Sequence, residues 1–290
     1  MPTPKSSSSA TEEYGLLRLD TEVDNPVTPQ PPASDSYPKD IIAIHGLHGN
    51  ATSTWTHDNG CMWLRDILPS RLPGSRIFSF GYPTTGTHGS IKDIARNLLE
   101  NLKGERYEKE NHNRPIIFIG HSMGGIVVKK ALVLARDPNE GYKQILDSVA
   151  GIMFLATPHR GSETTSFPHI FSNIFETAST SRRGLRKYLL KSLELNSPEL
   201  QGIVEGFRSV VAFSIIYFVE KVATKPLESL VVRDSSAIMG IPGEKIIPMF
   251  SCNHFTICKY QGPTCENFKV VWEVLKELAD EATEAKSHSV

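Results

Sequence analysis

The sequence predicts an α/β fold, with a mostly parallel central sheet, helices on both of its faces and an inserted helical cap. Three observations point there. Short, almost wholly apolar runs recur from residue 41 onward, and strands buried on both faces read this way. Segments with apolar residues at helical spacing lie between them, as in sheets built from βαβ units. One stretch, about 161–208, breaks the alternation and is too long for a simple crossover.

The elements follow in order. Residues 1–13 are polar and rich in Ser and Pro, and are expected to form a disordered tail. Residues 15–19 suit a first short strand, and Pro26, Pro29, Pro31 and Pro32 mark an irregular connector. The runs at 41–44, 76–82 and 115–120 read as buried strands. Ile91, Ile94, Ala95, Leu98, Leu99 and Leu102 repeat at helical spacing. A second helix is expected over 126–135, and strands over 150–155, 210–219 and 245–250. Phe268, Val271, Trp272, Leu275 and Leu278 form the stripe of a closing helix. The expectation is one domain over 14–283, carrying the cap at about 161–208, with a frayed tail over 284–290.

Composition narrows the class. With 31 basic and 32 acidic side chains the net charge is −1, and nucleic-acid binding usually needs a strongly basic face. The four cysteines, at 61, 252, 258 and 265, form no C-x-x-C pair, so reduced structural thiols are expected rather than a zinc site or a disulfide framework. The N-terminus lacks the apolar core of a signal peptide. The longest apolar run, 210–219, is about half the ~20 residues of a membrane span. A cytoplasmic protein is expected.

Gly120-His121-Ser122-Met123-Gly124 matches G-x-S-x-G. An apolar strand leads in and a helix leads out, which is the strained elbow that lifts a serine oxygen above a sheet edge. Gly120 and Gly124 leave room in that tight turn. Together they predict the α/β-hydrolase fold with Ser122 as nucleophile. A serine hydroxyl needs a neutral imidazole to take its proton and a carboxylate to hold that imidazole. The fold orders them serine, acid, histidine. Of ten histidines only His254 and His288 follow the cap, and His288 lies in the polar tail. His254, just beyond the 245–250 strand, is the expected base. Two acids compete: Glu220, at the carboxyl end of the 210–219 strand, and Asp234. The loop His45-Gly46-Leu47-His48-Gly49 follows the first buried strand, so the backbone N–H groups of Leu47 and Met123 are expected to form the oxyanion hole. His45 and His48 have no third ligand in view, and no metal is expected.

These motifs, with Trp55-Thr56, the run from Leu155 through Thr157-Pro158-His159-Arg160 to Ser162, and Asn253-His254-Phe255-Thr256-Ile257-Cys258-Lys259, resemble the lipase-like serine esterases. Nearest are the SesB-type hydrolases, common in fungi, and the related serine-active-site-containing proteins; the inositol-deacylating GPI remodelling enzymes are also similar. The resemblance runs from about residue 15 to 278. It implies Ser122 as nucleophile and His254 as base. It favours Glu220 as acid through Phe218-Val219-Glu220, although Lys221 stands where the family usually has threonine.

Within the cap, Phe167, Ile170, Phe171, Ile174 and Phe175 repeat at helical spacing. That face either packs on the body of the domain or lines an acyl pocket over Ser122 with Phe167 and Phe171. Arg182, Arg183, Arg186, Lys187 and Lys191 form either a solvated face or a peripheral membrane contact. His48, His121 and His159 are the other expected pocket residues. The expected activity is cleavage of a small-molecule or lipid carboxylic ester through a Ser-His-acid triad and an acyl-enzyme, without cofactor. A thioesterase, lactonase or acyltransferase would use the same groups, and a hydrolase fold kept as a non-catalytic signalling module is the rival from another class. Oligomeric state is left open.

Overall fold

The computed structural model describes residues 14–20, 38–84, 89–159, 170, 198–241 and 243–287. Seven strands form one sheet: β1 (Gly15–Arg18), β2 (Asp40–Ile44), β3 (Arg76–Gly81), β4 (Ile116–His121), β5 (Val149–Leu155), β6 (Ser214–Glu220) and β7 (Lys245–Met249). Their order is β1-β3-β2-β4-β5-β6-β7. Only β1 runs antiparallel to its neighbour. The helices are α1 (Trp63–Asp66), α2 (Leu68–Arg71), α3 (Ile91–Glu105), α4 (Lys109–His112), α5 (Met123–Arg136), α6 (Lys143–Asp147), α7 (Pro198–Arg208), α8 (Asp234–Ala237) and α9 (Glu266–Ser287).

The strand alternation divides the core. Ile42, Ile44, Phe78 and Phe118 face a layer that includes residues of α3, α5 and α7. Ile41, Ala43, Ile77 and Ile119 face Trp63 of α1 and Phe268, Val271 and Leu275 of α9. Because side chains alternate along a strand, both halves of the central apolar runs are buried, whereas β7, at the sheet edge, is exposed along most of its length. At the opposite end from the elbow, buried Asp40 receives Arg76 through two bonds of 2.8 Å and also pairs with Arg106. Arg106 then donates to the Arg114 carbonyl and Ser148 Oγ, both at 2.9 Å. This cluster ties the start of β2 and β3 to the end of α3.

Two boundaries differ from the expectation by four residues. The sixth strand begins at Ser214, not 210. Val210 is buried in a turn closed by its own N–H to the Phe207 carbonyl, so its apolarity serves α7 packing rather than a ladder. The closing helix continues to Ser287, past the boundary at 283, through a segment with neither Gly nor Pro. Of the stretch read as a cap, 198–208 is α7, whose Leu200, Ile203 and Phe207 are buried with α5 in one core. Phe167, Phe171 and the basic residues at 182–191 lie outside the described residues. Among the described residues no helix is long and apolar enough to cross a membrane.

Candidate active site

Ser122 stands between β4 and α5 with φ 53° and ψ −124°. That left-handed φ is strained for a residue with a side chain, and the turn holds it because α5 lies hard against β2. A Cβ on Gly124 would sit 2.5 Å from the His45 carbonyl oxygen. The loop after β2 presses equally close: a Cβ on Gly46 would lie 2.6 Å from Ser122 Cβ. Tyr82 fastens this loop. Its hydroxyl donates to the His45 carbonyl at 2.6 Å, its N–H donates to His45 Nε2 at 3.2 Å, and the two rings stack 4.1 Å apart. Burial pushes the Tyr82 pKa upward, so the hydroxyl keeps its proton to donate. His45 Nδ1 donates to the Gly46 carbonyl at 2.8 Å. Both ring nitrogens of His45 are therefore occupied in shaping the loop.

His254, in the turns after β7, reaches Ser122. The Ser122 hydroxyl donates to His254 Nε2 at 3.0 Å, and His254 Nδ1 donates to Glu220 Oε2 at 3.0 Å. Glu220 is the last residue of β6, and its second oxygen accepts the Val232 N–H at 2.8 Å. Ser122, His254 and Glu220 are all buried. A carboxylate accepts only, so Nδ1 carries the imidazole proton and Nε2 is left to face the hydroxyl. The backbone of His254 is pinned on both sides. Its N–H donates to Thr224 Oγ1 at 3.3 Å, and its carbonyl accepts His121 Nε2–H at 2.8 Å. Burial lowers the His121 pKa to about 3, helped by the neighbouring His254, so His121 is neutral.

Asp234, the competing acid, is not brought to His254. It is 62% exposed and pairs with Lys221 at 2.5 Å. It stands on α8, beyond the segment that ends at Val232. Leu47 and Met123 flank Ser122 from the loop and the helix start, both buried. Met123 opens α5, where backbone N–H groups have no partner within the helix. A cavity of about 300 Å³ lies here, with His48 and His121 in its wall. His159 is not in that wall. The Thr157-Pro158 turn carries it to a fully buried position edge-on to Phe154 and Tyr217, with Nδ1 3.2 Å from Lys129 Nζ. Sequence reasoning missed Thr224, Val232 and Lys129. The first two act through a side chain or amide with no motif, while a lysine inside the apolar pattern of 126–135 was a visible anomaly. All four cysteines are free thiols.

Residues 38–214 match the family model described as "Putative serine esterase (DUF676)". The chain belongs to this family. The matched region contains Ser122 and both flanking glycines and stops at the first residue of β6, before Glu220 and His254. Among relatives, Protein SERAC1 of Homo sapiens is 28% identical over 263 residues, 80% of this chain and 38% of that protein. Protein SERAC1 of Mus musculus is 29% identical over the same shares. The chain thus spans about 38% of the length of these relatives. In fold, the chain is similar to the lipase BlEst2 of Bacillus licheniformis (TM-score 0.57, 17% identity, 90% of this chain and 97% of that one). It is also similar to a carboxylesterase of Nitrososphaera gargenis (TM-score 0.51, 13% identity, 86% and 92%). The fold is that of the α/β hydrolases.

Proposed function

We propose that this chain hydrolyses a carboxylic ester through a Ser122–His254–Glu220 triad. The observation that carries the reading is the unbroken, buried chain of hydrogen bonds from the Ser122 hydroxyl to Glu220. Ser122 Oγ attacks the acyl carbon while His254 Nε2 takes its proton. Glu220 orients the ring and stabilises the imidazolium that forms. The Leu47 and Met123 N–H groups receive the carbonyl oxygen as it becomes an oxyanion, each contributing on the order of 3 kcal/mol to the transition state. His254 then returns the proton to the departing alcohol oxygen as the carbon–oxygen bond breaks. A water, deprotonated by His254, attacks the acyl-serine, and the acid leaves with Ser122 restored. The substrate is a small-molecule or lipid ester, and the motif set supports placing the chain beside the SesB-type hydrolases.

The test is intact mass after treatment with a neutral fluorophosphonate. One adduct is expected on the wild-type chain and none on Ser122→Ala. A folded wild-type chain that takes no adduct, or a Ser122→Ala variant that still does, would overturn the reading.

A further inference from the structure

The cavity beside Leu47 has a wall that the hydrolytic steps do not use. Leu47 and Phe255 supply apolar surface, and Ser53 and Thr54 supply hydroxyls. No Asp or Glu lines it among the described residues. Both histidines of the wall are neutral at ordinary pH, because burial lowers the His48 pKa and takes that of His121 to about 3. Among the described residues Lys259 is therefore the single charge facing the space. It is half-buried, and among the described residues no carboxylate pairs with it. Its charge reaches the wall: it helps depress the His121 pKa and opposes the rise of the Cys258 pKa. Thr54 Oγ1 is buried and has no hydrogen-bond partner among the described residues, so a second donor stands in the same wall. An ammonium with no carboxylate partner among the described residues, in the same wall as an unpartnered hydroxyl, is matched by an anionic oxygen group. The volume suits such a group with a few carbons attached. The cavity also touches the reaction centre, since Leu47 belongs to the loop packed on Ser122 and His121 precedes it.

We propose that this cavity is an anion subsite, in which Lys259 and the Thr54 hydroxyl hold a phosphate or carboxylate carried on one arm of the ester. The proposal rests on the hydrolase reading for its link to turnover, but binding at the subsite is measurable without it.

The experiment titrates the full chain with butyl phosphate, butyrate and 1-butanol by calorimetry, and measures how each slows labelling of Ser122 by a neutral fluorophosphonate. Both anions are expected to bind and protect, and butanol to do neither. Lys259→Met should weaken anion binding about tenfold, the size of one charge-assisted hydrogen bond. Lys259→Arg should retain most of it, and Thr54→Val should give a smaller loss at unchanged fold. Raising salt from about 0.05 to about 0.5 M should weaken the anions alone. Vesicles of phosphatidic acid in phosphatidylcholine, set against phosphatidylcholine alone, separate the two sources. Protection by butyl phosphate identifies a soluble anion, and protection by phosphatidic acid vesicles alone identifies a lipid head group. Equal binding of butanol and butyl phosphate, anion affinity unchanged in Lys259→Met, or no anion effect in any arm would overturn the subsite. Anion binding to a chain that never labels would instead overturn the hydrolase reading and leave the subsite standing.

Discussion

Glu220 divides its two oxygens between two tasks. One accepts the Val232 N–H and anchors the carboxylate to the loop after β6, and the other accepts His254 Nδ1–H. Glu220→Gln must present its NH₂ group to one of these donors. The anchor then keeps its acceptor only by placing a donor against Nδ1–H, which forces the wrong imidazole tautomer. Fluorophosphonate labelling of this variant should slow by about 10³–10⁴ with the fold intact; wild-type labelling would remove Glu220 from the mechanism. Lys129 makes a second prediction. It is buried beside His159, and burial lowers its pKa from 10.5 to about 7. Because the folded pKa lies below the unfolded one, the unfolded chain holds the proton across pH 7 to 10.5, and stability rises with pH through that window. The cost is fully present below pH 7. Lys129→Met should therefore raise the melting temperature at pH 6 by roughly 5 °C and show a smaller gain at pH 10. Equal gains at both would assign the effect to packing instead. At this scale Ser122 and His254 were legible because a local motif and a chain order define them. The burial of His159 beside Lys129 was not legible, since nothing local reveals that it turns toward α5.

The contact between α5 and β2 sets the height of Ser122, and Gly124 makes it. A methyl there would meet the His45 carbonyl oxygen. Gly124→Ala should cost about 2–3 kcal/mol by urea unfolding and depress labelling of Ser122. Gly104, in α3, has open space around its missing Cβ. Gly104→Ala should stabilise by about 0.5–1 kcal/mol; a loss there would show that α3 is not behaving as an ordinary exposed helix. Elements were legible where a period was long enough to read. The stripe from Ile91 to Leu102 marks α3, and Ser90 with Asp93 closes its capping box. Periodicity fails over short lengths. The apolar residues at 210–213 look like the start of a strand, yet they pack in a turn, and α1, α2, α4, α6 and α8 are too short to show any repeat.

Across the whole molecule, the Asp40 cluster and the candidate site occupy opposite ends of the strands. Asp40 starts β2, whereas the Leu47 loop follows its end. Asp40→Asn leaves two buried guanidinium groups short of their counter-charge, which should cost about 3–5 kcal/mol. Thermal unfolding should show the loss, while labelling of the folded fraction at low temperature keeps the wild-type rate; a slowed rate would mean the two ends communicate. The layered α/β architecture was legible in the alternation of apolar runs. The strand order was not, because all the central strands are similarly apolar and pairing is decided by crossovers that leave no local mark. The division of the site along the chain has its own consequence. Leu47 and Ser122 belong to the first strands of the sheet, while Glu220 and His254 come with the final two, added at one edge. Synthesis runs from the N-terminus, and a domain folds as a unit once its elements are present. A nascent chain still on the ribosome therefore carries its serine as an ordinary alcohol. Under the proposed triad, reactivity arrives only when the last edge strands dock, so unfinished copies would trap no acyl groups.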